Sequence, residues 1–209
     1  METYQRSVSD GSAPSIVINS IDVRKMLQLF ADNRIAEVTK YLGSEIDRLA
    51  KAEVSVGLLA ANTPHAVFAE LAQSSPIPLI SIVDVTCAEA INLNLNRLAL
   101  FGTRFTMQGR FYCEEFSARD LSVVLPSEED QRYLHEKYMN EFLNGTFLPA
   151  TRRKLLDVVR RLKHDADIDG VILGGTELPF ILNDAEFEGI RFLDTTQIHV
   201  RAAVASLLA

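Results

Sequence analysis

The chain has 209 residues, 47% of them hydrophobic and 23% charged, and a net charge of −7, enough length to bury a core as one domain or as two lobes of roughly 100 residues each. Acidic and basic residues are interspersed, which excludes the clustered basic face of a nucleic-acid binder. No apolar run approaches the roughly 18 residues of a membrane span, and the polar start Met1-Glu2-Thr3-Tyr4-Gln5-Arg6 does not read as a signal peptide.

In chain order, Ser15 to Ser20 is short and β-branched behind the breaker run from Ser9 to Pro14, which predicts a strand. From Asn33 to Lys51, Ile35, Val38, Leu42, Ile46 and Leu49 recur at helical spacing, so one face packs and the other meets water. Val54 to Ala60 is a continuous apolar run of strand length, the pattern of a parallel strand covered on both faces. Thr63 to Ala72 then reads as a helix, with Thr63 as a possible cap and Pro64 in its first turn. Pro78 to Val83 predicts the next strand and Thr86 to Leu93 the next helix.

A second series repeats the rhythm. Leu98 to Gly102, Leu121 to Leu125, Gly170 to Leu173 and Ile190 to Leu193 read as strands; Glu128 to Leu143, Thr151 to Leu162 and Thr196 to Leu208 read as helices. Alternation at these lengths predicts an α/β fold with parallel-type sheets and right-handed crossovers. Two segments match in kind: Ala60-Ala61-Asn62-Thr63-Pro64-His65 and Gly174-Gly175-Thr176-Glu177-Leu178-Pro179 each end an apolar run in a small-residue turn that opens a helix. Ligands of open α/β sheets bind at the carboxyl ends of strands, where unpaired N–H groups and the helix dipole favour an anion.

These turns, with Ser20-Ile21-Asp22-Val23, the segment from Ile77 to Asp84, Leu100-Phe101-Gly102-Thr103-Arg104-Phe105-Thr106-Met107 and Asp194-Thr195-Thr196-Gln197-Ile198-His199, resemble the aspartate/glutamate racemase superfamily, and most closely its aspartate racemase and amino-acid racemase branch. The resemblance covers nearly the whole chain. It implies two similar α/β lobes, residues 1–94 with 195–209 and residues 95–194, with a cleft between them for a small acidic amino acid or dicarboxylate. It further implies racemisation with no cofactor and no metal, and a homodimer. One thiolate removes the Cα proton and an opposite thiol returns one, which requires a base of suitable pKa held close and dry.

The positions that the resemblance gives to those two cysteines are Ala61 and Gly175, and neither a methyl group nor a hydrogen carries a proton. The chain's own cysteines, Cys87 and Cys113, lie elsewhere, have no metal-ligand spacing, and read as packed thiols in a reduced, cytoplasmic setting. The first residues resemble the start of the family's first helix, so an inner strand and its carboxylate-binding turn are also expected to be missing.

The resemblance makes Asn62, Thr63, Thr176 and Glu177 contacts to the substrate's carboxylate and amino group; Thr63 and Thr176 also suit plain helix caps. Thr103 and Thr106 either hold a carboxylate at the second lobe's first turn or shape the loop. His65 supports its turn in the family, and a Glu177–His65 pair is the one other acid and base that the motifs offer. Two readings follow: an impaired racemase-family isomerase, or a protein that keeps the pocket and binds without chemistry. Restoring cysteine at both Ala61 and Gly175 is expected to return proton exchange.

Overall fold

The computed structural model describes every residue from Met1 to Ala209. It forms two compact units, Met1–Leu59 with Val67–Ser81 and Val200–Ala209, and Ala60–Ala66 with Ile82–His199.

In the first unit, α1 (Glu2–Ser7) is followed by α2 (Val23–Ala31), whose N-cap Asp22 accepts from the Lys25 N–H, and by α3 (Ile35–Lys51). The predicted periodicity of α3 holds: Val38, Leu42 and Ile46 are buried, as are Met26, Leu29 and Phe30 of α2. The sheet is small. β1 (Gly57–Leu58) and β2 (Leu79–Ile80) pair in parallel on either side of α4 (Phe68–Ser74). Residues 15–20 form no strand, contrary to the sequence pattern, and Ile16, Val17 and Ile18 are exposed. Strand propensity without a neighbouring strand to pair the backbone groups does not make a ladder.

The second unit carries the main core. Its strands are β3 (Arg97–Gly102), β4 (Ser122–Val124), β5 (Gly170–Gly174), β6 (Glu186–Phe187) and β7 (Ile190–Asp194), in the order β4-β3-β5-β7-β6. All neighbours are parallel except β6 against β7. β5 is buried at every residue and β3 at all but the first, which is why both read as near-continuous apolar runs. Around the sheet lie α5 (Ile82–Asn92), α6 (Arg104–Gln108), α7 (Phe111–Ser117), α8 (Glu128–Asn140), α9 (Pro149–Ala166) and the short α10 (Leu178–Ile181). α11 (Thr195–Leu208) closes the chain.

Two local choices aim the sheet at its turns. β3 and β5 end in register, Gly102 beside Gly174, and a Cβ at Gly174 would stand 2.8 Å from the Phe101 carbonyl oxygen, so only glycine lets the strand ends approach. At the opposite ends, the Asp169 carboxylate accepts from the Asn96 and Arg97 N–H groups at 2.7 and 3.1 Å, fixing where β3 starts.

Candidate active site

Both matching turns belong to the second unit. In the first, Thr63–Val67 is a 3₁₀ turn rather than the start of an α-helix, and the Thr63 side chain caps nothing. Its hydroxyl instead meets Thr103 and Thr106, and the three oxygens stand 3.2 Å from one another, all buried. Thr103 is the true cap: it accepts from the Thr106 N–H and opens α6 just beyond β3. Three hydroxyls carry three protons that rotate freely. The cluster can close on itself or turn its protons toward one anionic oxygen.

Asn62 is held harder. The Tyr112 hydroxyl donates to its Oδ1 at 2.6 Å, its Nδ2 donates to Thr195 Oγ1 at 3.2 Å, and that hydroxyl donates to the Leu173 carbonyl on β5 at 2.8 Å. The chain of bonds ties the first turn to the strand that leads into the second, and leaves one amide N–H of Asn62 uncommitted. Tyr112 is fully buried and its pKa is driven up by desolvation, so it stays a neutral donor. Tyr112 lies outside both motifs, and no local pattern marks it as part of the site.

His65 uses both ring nitrogens on the backbone: Nδ1–H donates to the Ala61 carbonyl at 3.0 Å and Nε2 accepts from the Ile82 N–H at 3.0 Å. Burial first, and the neighbouring His199 second, lower its pKa to about 3. A neutral imidazole pinned in one tautomer shapes its turn and transfers no proton at neutral pH.

The second turn is built differently. A Cβ on Gly175 would stand 2.5 Å from Tyr138 Cε2 and 2.6 Å from its hydroxyl oxygen, so the tyrosine, reaching in from α8, occupies the space a side chain at 175 would need. The Tyr138 hydroxyl donates to Glu177 Oε2, and the Thr176 hydroxyl donates to the same oxygen at 2.8 Å. Thr176 therefore caps no helix; α10 begins at Leu178 with Glu177 at its cap position, and the Glu177 side chain accepts from none of the helix's N–H groups. Desolvation, then the Glu177 charge, pushes the Tyr138 phenol far up, so it too stays protonated.

The Asp/Glu/hydantoin racemase family model matches residues 1–203. The chain belongs to that family. Among solved structures, the racemase-family chain is similar to an Asp/Glu racemase candidate from Yersinia pestis, with TM-score 0.89 and 23% identity over 100% of this chain and 90% of that one. It is also similar to an aspartate racemase homologue from Pyrococcus horikoshii, with TM-score 0.80 and 26% identity over 99% and 90% of the two chains. A glutamate racemase from Francisella tularensis, solved in complex with D-glutamate, shares the fold at TM-score 0.57 and 20% identity, covering 83% of this chain and 64% of that one.

Neither turn carries a thiol. Cys87 is fully buried in the hydrophobic core of α5, and desolvation raises its pKa; Cys113 lies on α7 and is raised by desolvation and by Glu114. No group of histidine, cysteine or acidic residues is arranged to hold a metal ion. No helix is long and apolar enough to cross a membrane.

Proposed function

We propose that this member of the Asp/Glu racemase family binds a small acidic amino acid, or a dicarboxylate of that size, and has lost two-thiol racemisation. The observation that carries the reading is Tyr138: the space beside Gly175 holds a neutral phenol in place of an acid–base side chain. Ala61 offers a methyl group at the other turn, and His65 is committed to the backbone. What remains suits recognition. The hydroxyls of Thr63, Thr103 and Thr106 supply donors for a carboxylate, while Glu177 keeps its second oxygen for an ammonium group. A family fold that holds D-glutamate in the Francisella tularensis enzyme supports the ligand class. Two cysteines without a disulfide fit a reduced, cytoplasmic protein, and the reading includes a homodimer, which a mass measurement in solution checks.

Proton exchange with solvent separates binding from catalysis. Incubated in D2O with L- or D-aspartate or glutamate, the protein is expected to raise its melting temperature and to leave the Cα proton unexchanged. Deuterium at Cα above a no-protein control would restore it to the racemases. No stabilisation by any of the four ligands would remove the binding site itself.

A further inference from the structure

A line of aromatic rings runs from the second turn to the surface. Tyr138, beside Gly175, meets Phe142 with ring centres 5.8 Å apart, Phe142 stacks on Phe147 at 6.0 Å, and Phe147 meets Phe180 at 5.5 Å. Tyr138 and Phe142 are buried and Phe147 half-buried, whereas Phe180, on α10, is 67% exposed. Leu143 and Leu148, each next in sequence to a ring of this line, are 46% and 44% exposed. Gly145, at φ +70° and with its N–H bonded to the Phe142 carbonyl, turns the chain back so that Phe147 lies against Phe142. A single exposed apolar side chain is ordinary; three gathered about one ring stack make a patch.

The patch carries no charge. Residues 142–151 and 178–183 include no acidic or basic side chain, in a chain of which 23% is charged. The charges at its rim are engaged within the molecule. The Arg152 guanidinium donates to Asp184, which joins the start of α9 to the segment after α10, and Glu141 accepts from Lys137 and Thr151, both at 2.7 Å. Two copies of a chain with net charge −7 repel over most of their surfaces. They meet at least cost where each presents an uncharged apolar face with a neutralised border, because the like charges are then held apart and screened. The same lack of cations disfavours an anionic membrane or a polyanion.

The size suits the centre of an interface. An aromatic side chain presents roughly 150–250 Å², so Phe180 alone offers upward of about 100 Å², and with the two leucines the apolar area comes to roughly 300 Å². A standard interface takes about 800 Å² from each partner, and exposed uncharged neighbours such as Asn144, Thr146 and Asn183 extend the face as its polar rim.

We propose that this face is where two copies of the chain pair, with Phe180 as the anchor and the same patch contributed by both copies. The inference rests on the homodimer in the reading above and names the surface that makes it.

Sedimentation equilibrium of the full chain between about 1 and 100 µM tests the dimer and its face separately. The wild type is expected to weigh twice its chain mass of 23.3 kDa. Phe180→Asp removes the anchor and sets two like charges against each other, and is expected to weaken pairing about 100-fold or more. Leu148→Glu strikes the same face from another element, covers the case of a poorly folded Phe180 variant, and is expected to weaken pairing at least about tenfold. Ile18→Asp puts the same charge on the most exposed large apolar side chain of the first unit, 85% exposed, and should leave the dissociation constant within about twofold of the wild type. If the wild type is a dimer and folded Phe180→Asp and Leu148→Glu pair as tightly, or Ile18→Asp is the variant that dissociates it, the face is refuted and the homodimer stands. A wild type that stays monomeric at about 100 µM removes both.

Discussion

The two turns began as matching motifs, and the fold treats them in opposite ways. The first is locked by hydrogen bonds: Asn62 to Tyr112 and Thr195, Thr63 to two threonines, His65 to two backbone groups, all but the Ala61 carbonyl on buried residues. The second is locked by bulk, with the Tyr138 ring pressed into the place of a side chain at 175, while Glu177 and Thr176 stay partly exposed. A small residue therefore means different things at the two sites. At 61 the fold already holds a half-buried methyl group, whereas at 175 the glycine is the condition for the tyrosine.

The largest expected effect breaks this contrast at the second turn. Gly175→Ala drives a Cβ into the Tyr138 ring and should cost about 3 kcal/mol by overpacking, a melting temperature lower by roughly 6–12 °C for a chain of this size. Adding Tyr138→Leu should recover more than half of that loss; if Gly175→Ala melts like the wild type, the tyrosine does not need the glycine. A cysteine placed at 175 on its own therefore meets the same clash. The double Ala61→Cys, Gly175→Cys variant expected from sequence to regain exchange requires a smaller residue at 138 as well. Ala61→Cys alone should change stability by no more than about 0.5 kcal/mol, measured by denaturant unfolding.

At the first turn the hydroxyl matters more than the ring. Tyr112→Phe leaves the buried Oδ1 of Asn62 without its donor and should cost about 2 kcal/mol, measured by the same denaturant titration. Tyr138→Phe, which keeps the ring beside Gly175 and strips a donor from the partly exposed Glu177, should cost less than about 1 kcal/mol. Equal losses at the two tyrosines would erase the difference between a turn locked by bonds and one locked by bulk.

Acid sharpens the comparison further. His65 has its folded pKa lowered to about 3, below the unfolded value of 6.5, so the unfolded chain binds the extra proton in that window. The stability from keeping His65 neutral is complete above about pH 6.5 and is lost as pH falls toward 3, at about 1.4 kcal/mol per unit. Unfolding at pH 7.5 and pH 5 should differ by about 2 kcal/mol from this group, and His65→Gln should flatten that slope. A wild type equally stable at both values would rule out the imidazole as the first turn's titrating element.

Local pattern carried most of the fold. The helical face of α3, the buried runs of β3 and β5, and the helices α8, α9 and α11 were legible because 3.6-residue and continuous apolar periods report burial directly. The strand expected at 15–20 failed because a strand is completed by a partner, which propensity does not supply. Thr63 and Thr176 looked like caps because a threonine before a helix usually is one, and their hydroxyls went instead to side chains reached through folding.

The sequence by itself determined the alternation of elements, the family, and the positions of the two turns, with Ala61 in one and Gly175 in the other. Only the tertiary structure decided what fills those positions. Tyr112 and Tyr138 reach the site from α7 and α8, tens of residues from the turns they complete, and no local period encodes which side chain a packed helix will deliver to a strand end. Close packing makes that decision, since each small residue at a turn is matched by a large one arriving from elsewhere in the core.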